Sequence, residues 1–98
     1  MITYRFLSPA EEEMTEAALF YEIASTGRGS DFLDDVQRAV NRVLDYPHSG
    51  EPVDSDLRRT LLHRFPFSLI YAIEAASIVI IAVAHHGREA EYWRSRVN

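Results

Sequence analysis

The chain has 98 residues, enough for one domain spanning 1–98 and for a core that needs no covalent staple, with 47% hydrophobic residues to build it. It has no cysteine, which excludes disulfides and thiolate zinc sites. The net charge is −5, and it is unevenly spread: residues 1–57 hold twelve acids against four arginines, and residues 58–98 hold three acids against six.

Every basic residue is an arginine, the side chain suited to planar, bidentate contacts. The excess of arginine in the second part, with His63, His85 and His86 beside it, is either a basic surface facing a partner or a preference of acids for the helices and arginines for the strands. The N-terminus lacks the basic, apolar, small-residue order of a signal peptide, and the longest apolar run, Ile78 to Ala84, is too short to span a bilayer. These features predict a cytoplasmic protein that does not enter a membrane.

Residues 2–7 alternate Ile2, Tyr4 and Phe6 against Thr3, Arg5 and Leu7, which predicts a first strand. Ser8-Pro9-Ala10-Glu11 then predicts a helix start, with Ser8 as cap, Pro9 in the first helical position and Glu11 closing a capping box. Met14, Ala17, Ala18, Tyr21 and Ala24 recur at helical spacing. Thr26-Gly27-Arg28-Gly29 breaks that helix, and Ser30 and Asp31 open a second. Its apolar face is Phe32, Val36, Ala39, Val40, Val43 and Leu44, with Asp34 and Arg38 placed as an i,i+4 ion pair. Tyr46-Pro47 ends it.

A polar loop follows from Pro47 to Asp56, and the period then changes to two. Leu57, Arg59, Leu61, His63 and Phe65 share one side of a strand; Arg58, Thr60, Leu62 and Arg64 share the other. Pro66 reads as a turn, residues 67–73 as a third strand, and residues 78–84 as a fourth that is apolar on both faces and therefore central. Residues 89–96 form a last helical turn or a tail. The order β-α-α-β-β-β predicts an α+β fold, with an antiparallel sheet, a helical hairpin on one face and a short C-terminal element.

Chemistry-bearing residues gather late in the chain. His85 and His86 are adjacent, so on a strand they point to opposite faces and do not chelate together. No carboxylate stands at metal-site spacing, no glycine-rich phosphate loop is present and no cofactor fingerprint appears, so neither a metal nor a cofactor is expected. His63, Arg64, His85, His86 and Arg88 have the chemistry to cleave a phosphodiester, with histidine as base and arginine stabilising charge; the other reading is a solvated basic strand edge with a terminal His-Arg turn. Trp93, beside Tyr92, is either an anchor for the chain end or a contact for a partner.

Several short motifs, in order, carry a resemblance. They are Tyr46-Pro47-His48-Ser49-Gly50 after the second helix, Phe65-Pro66-Phe67-Ser68-Leu69-Ile70-Tyr71, Val83-Ala84-His85-His86-Gly87-Arg88, and Tyr92-Trp93-Arg94-Ser95-Arg96. Together they resemble the ParE branch of the RelE/ParE toxin superfamily, the plasmid stabilisation proteins. The resemblance implies a type II toxin neutralised by a cognate antitoxin, with DNA gyrase as target. Arg58, Arg64, Arg88, Trp93 and Arg94 would then form the target-facing surface. The alternative it implies is a RelE-type endoribonuclease acting on mRNA at the ribosome through Arg64, His85, His86 and Arg88. A third is a degenerate, non-toxic member that binds only its antitoxin. Homodimer and toxin–antitoxin heterotetramer both stay open. Many nuclease members carry an arginine three residues before the tyrosine matching Tyr71; here that residue is Ser68. That departure and the acidic net charge favour gyrase over the ribosome.

Overall fold

The computed structural model describes residues 2–97. Its elements run β1 (Thr3–Phe6), α1 (Ser8–Ala24), α2 (Arg28–Asp45), β2 (Glu51–Pro52), β3 (Leu57–Leu61), β4 (Phe67–Glu74) and β5 (Ser77–His85). Single 3-10 turns lie at Pro47–Ser49 and Arg94–Arg96. The five strands make one sheet in the order β1-β5-β4-β3-β2. β2 to β5 are joined by short connections and pair antiparallel, β3 to β5 as the meander the sequence predicts. β1 departs from that pattern: it runs parallel to β5, with Thr3 opposite Ser77 and Phe6 opposite Ile80. The whole hairpin and meander separate these two strands, so no tight turn fixes their relative direction. β2 falls in the expected loop; two residues, one a proline, carry no periodicity, and an edge is where a strand proline is tolerated.

The first helix begins at Ser8 itself, so Ser8 is not its cap and no side chain caps it. Leu7 still donates its N–H to Ile80 at 2.9 Å, and its carbonyl accepts from Glu11 N–H at 3.0 Å. The chain thus passes from sheet pairing into the helix with no residue between. At the hairpin, Gly27 turns the chain in the left-handed region at φ 89°. α2 then starts at Arg28, before the expected Ser30, because the Glu22 carboxylate accepts from Gly27 N–H at 3.0 Å and Gly29 N–H at 3.1 Å. A side chain therefore satisfies the open N–H groups of the new helix. Among the ion pairs of the described residues, none joins Asp34 to Arg38.

The hairpin covers one sheet face. Phe32, Val36, Ala39, Val40 and Val43 of α2 share a core with Leu69, Tyr71, Ile78, Ile80 and Val83. Phe65 turns into this core beside Phe32, centroids 5.3 Å apart, so the alternation predicted through residue 65 ends with β3. The opposite face buries a smaller cluster of Leu57, Ile70, Val79, Ile81, Ala82 and Trp93. A register shift between Ile70 and Tyr71 sets Ile70 against Ala82 and Tyr71 against Ile80. This bulge puts Ile81 and Ala82 in the same cluster, where strict alternation would separate them. Among the described residues, no helix is long and apolar enough to cross a membrane.

Candidate interaction groove

After β5 the chain turns back across the sheet face that the hairpin leaves open. Residues 86–97 form a strap over the second core cluster. His86 N–H bonds the Pro66 carbonyl at 2.9 Å, and Gly87 N–H bonds His85 Nδ1 at 2.8 Å, which fixes the start of the strap. Two carboxylates hold the rest. Glu13 of α1 reaches past β5: its Oε1 accepts from Val83 N–H at 3.1 Å and from Arg96 at 2.9 Å, and its Oε2 accepts from the Tyr92 hydroxyl at 2.6 Å and from Arg96 at 2.9 Å. Arg96 also donates to the Ile81 carbonyl at the bulge, at 3.1 Å. On the other side Asp54 Oδ2 accepts from Arg94 at 2.6 Å, while its Oδ1 accepts from the N–H groups of Asp56 and Leu57.

Electrostatics follow from these bonds. Burial pushes the Glu13 carboxyl up, but the hydrogen bonds from Arg96, Tyr92 and Val83 outweigh it and hold it below its usual range. Burial, then the Glu13 carboxylate, raises the Tyr92 hydroxyl. Arg94 lowers the exposed Asp54 carboxyl by its hydrogen bond.

Between strap and sheet lies a groove of about 360 Å³. Arg59, Leu61, Ser68, His86, Arg88 and Tyr92 are among its walls. The adjacent histidines separate as strand alternation requires. The His85 ring stands edge-on to Phe67 at 5.0 Å, and His86 Nε2 lies 2.9 Å from Ser68 Oγ. Arg88 places its guanidinium 3.8 Å from the Tyr92 ring centroid.

The five residues expected to face the target are spread over β3, the β3–β4 turn and the strap. Arg88 lines the groove, and Arg94 lies further along the strap. Trp93 lines the floor of the groove but is 4% exposed and packs into the second core cluster, where it anchors the strap. Its large apolar ring is stabilised more by burial under the strap than by water. Arg58 is spent on the loop after α2, donating to the carbonyls of His48 at 3.0 Å and Gly50 at 2.8 Å. Arg64 sits in the β3–β4 turn, 3.9 Å from Asp31. Of the residues suited to phosphodiester cleavage, His85, His86 and Arg88 are all among the groove walls, with the His85 ring standing edge-on to Phe67; His63 and Arg64 are not among them. Among the described residues no cluster of histidine and carboxylate groups could hold a metal ion.

Three residues matter more than the sequence suggested. Glu13 lies on the inward side of α1, one turn before Ala17. Asp35 lies on the buried side of α2 between Phe32 and Ala39; it is 1% exposed and accepts from Arg64 N–H at 2.8 Å and His63 N–H at 3.3 Å. An acid on an apolar helix face was the available signal for both. Arg59 lines the groove and pairs with Glu51 across the β2–β3 edge, a contact that needed the unforeseen β2.

Comparison with known proteins decides the family. The model of the ParE toxin of type II toxin-antitoxin system, parDE, matches residues 4–90. The chain belongs to the ParE toxin family. Among solved structures it is similar to a chain of the chromosomal ParDE TA system from P. aeruginosa, with a TM-score of 0.64 at 18% identity, covering 87% of this chain and 96% of that one. At that identity the likeness establishes the fold. No curated protein matches significantly. Within this ParE chain, the motif residues Pro47, Gly50 and Tyr71 prove to be architectural. The Tyr71 hydroxyl donates to the Pro47 carbonyl at 2.7 Å and accepts from Gly50 N–H at 3.2 Å, pinning the loop between α2 and the meander.

Proposed function

We propose that this ParE family member is the toxin of a type II pair, that it acts by binding and inhibiting DNA gyrase, and that its cognate antitoxin neutralises it. The observation that supports this most is what the arginines do. Of the six in residues 58–98, five have oxygen partners inside the chain: Arg58 on two carbonyls, Arg59 on Glu51, Arg64 on Asp31, Arg94 on Asp54 and Glu91, and Arg96 on Glu13. A ribosome-bound nuclease must neutralise many phosphates. A chain at −5, with Arg58 and Arg96 held on internal oxygens, suits a protein target better. Ser68 reinforces this, because the resemblance places an arginine there in many nuclease members.

Arg88 and Arg94 carry the proposed contact. Arg88 is held by an aromatic face, and among the described residues no ion pair engages its N–H groups, which suit a carboxylate or a carbonyl in a plane. Arg94 rests in ion pairs whose side chains are 36–57% exposed, and such pairs exchange partners at little cost. The test is a supercoiling assay with purified gyrase and purified chain. Inhibition by the parent, lost in Arg88→Ala/Arg94→Ala at an unchanged melting temperature, supports the assignment; a double variant that unfolds overturns it.

A RelE-type endoribonuclease is favoured by one observation: His86, Ser68 and Arg88 gather at a single groove. Cleaved mRNA at the ribosomal A site in induced cells, abolished by His86→Ala, would establish it. Harmless expression would instead mark a non-toxic module that binds the antitoxin.

A further inference from the structure

α1 lies on one face of the sheet and the groove on the other, yet one side chain joins them. β1 pairs with β5 only from Ser77 to Ile80, so β5 has an open edge beyond that point. Glu13 of α1 fills the opening: its carboxylate accepts from Val83 N–H at 3.1 Å and reaches the strap on the far side. It accepts four hydrogen bonds, two on each oxygen. The two from Arg96 hold the strap to α1. The one from the Tyr92 hydroxyl, at 2.6 Å, fixes something else, the place of an aromatic ring.

That ring carries an arginine. The Arg88 guanidinium lies 3.8 Å from the Tyr92 centroid, and Arg96, itself bonded to Glu13, lies 5.2 Å from the same centroid. Contacts therefore run without a gap from the α1 carboxylate through Tyr92 to a cation on the groove wall. Burial and the neighbouring carboxylate keep the proton on the Tyr92 hydroxyl, so the tether stays a donor and an acceptor at neutral pH. Arg88 is exposed, and no ion pair among the described residues restrains it. An untethered arginine side chain spreads over many rotamers, and ordering it costs entropy. A ring face held from behind narrows that spread before any partner arrives.

We infer that Glu13 is a positioning residue for the groove: through the Tyr92 ring it sets where Arg88 presents its guanidinium, which makes α1 a regulator of the groove from the other side of the sheet. A displacement of α1 that parts Glu13 from Tyr92 releases Arg88, although α1 itself does not line the groove. The consequence for inhibition rests on the reading of Arg88 as a target contact. The positioning itself is a property of the free chain and is measured there.

Nuclear magnetic resonance of the full chain, free in solution, is the first test, because the ring current shifts protons above an aromatic face upfield. The Arg88 side-chain protons are expected upfield in the parent. Tyr92→Phe keeps the ring and the Glu13–Arg96 pair and removes only the tether, and it is expected to lose most of that shift. Glu13→Gln, which removes the charge that the tether binds, is expected to move the Arg88 protons the same way. A supercoiling assay with purified gyrase then reads the consequence. Tyr92→Phe is expected to weaken inhibition about fivefold in the parent and to change nothing further in Arg88→Ala. A parent that shows the shift, loses it in Tyr92→Phe and does not inhibit gyrase would support the positioning and sink the gyrase reading. Two results would overturn the inference: an Arg88 shift unchanged in both variants, whatever their melting temperatures, or equal losses of inhibition with and without Arg88, the mark of a merely structural role.

Discussion

At the scale of single residues, Glu13 does what no local pattern requires of it. Its carboxylate joins α1, β5 and a strap whose Arg96 lies 83 positions away in the chain. Glu13 and Arg96 are 15% and 18% exposed, so removing the charge leaves a mostly buried guanidinium without its partner. Glu13→Gln should cost about 2 kcal/mol at neutral pH. The carboxyl is held below its usual value of 4.5, so the ionised form stabilises the fold. That contribution is complete above 4.5 and is lost as pH falls through the lowered folded value. Thermal melts should therefore show the gap between parent and Glu13→Gln narrowing on acidification; a gap constant with pH would refute the ionic latch. Trp93 gives a separate test. Its burial makes Trp93→Ala a core deletion, expected to cost about 3 kcal/mol or more in chemical denaturation. An alanine variant of parental stability that loses only toxicity would return Trp93 to the target-facing set. Tyr71→Phe should cost about 1–3 kcal/mol, because it strands the Pro47 carbonyl and Gly50 N–H. Faster hydrogen exchange confined to the 47–50 loop would be its signature.

At the scale of elements, the hairpin shows where sequence signals compete. Gly29 reads as a helix breaker, yet it lies inside α2. Its role is closeness: a Cβ there would sit 2.5 Å from the Ala18 carbonyl oxygen. Gly29→Ala should gain about 1 kcal/mol of helix propensity and lose more to the separation of α1 from α2, so the melting temperature should fall. A rise would mean the helices part at no cost. The elements themselves were legible because their periods are distinct: 3.6 through residues 32–43 and 2 through residues 57–61. What was not legible arose from contacts between distant segments. β1's parallel direction depends on β5, the early start of α2 depends on Glu22, and the end of alternation after Leu61 depends on Asp35 drawing the N–H groups of His63 and Arg64 toward the hairpin side. The candidate site was legible in part for the same reason. The opposed directions of His85 and His86 follow from strand geometry, whereas the groove exists only because the strap folds back, which Glu13 and Asp54 determine.

At the scale of the whole molecule, the charge asymmetry between the two parts of the chain resolves into internal pairing. Arg94 and Arg96 answer Asp54 and Glu13 from the acidic part, and Arg59 answers Glu51. The acidic excess left on α1 and the arginines left near the groove lie on opposite faces of one sheet, two surfaces of contrasting chemistry. Gyrase inhibition can be separated from ribosome inhibition in growing cells by inducing the chain without an antitoxin and following thymidine and methionine incorporation in parallel. If gyrase is the target, thymidine incorporation falls first while methionine incorporation continues. If methionine incorporation falls first, the ribosome is the target and the gyrase assignment is wrong.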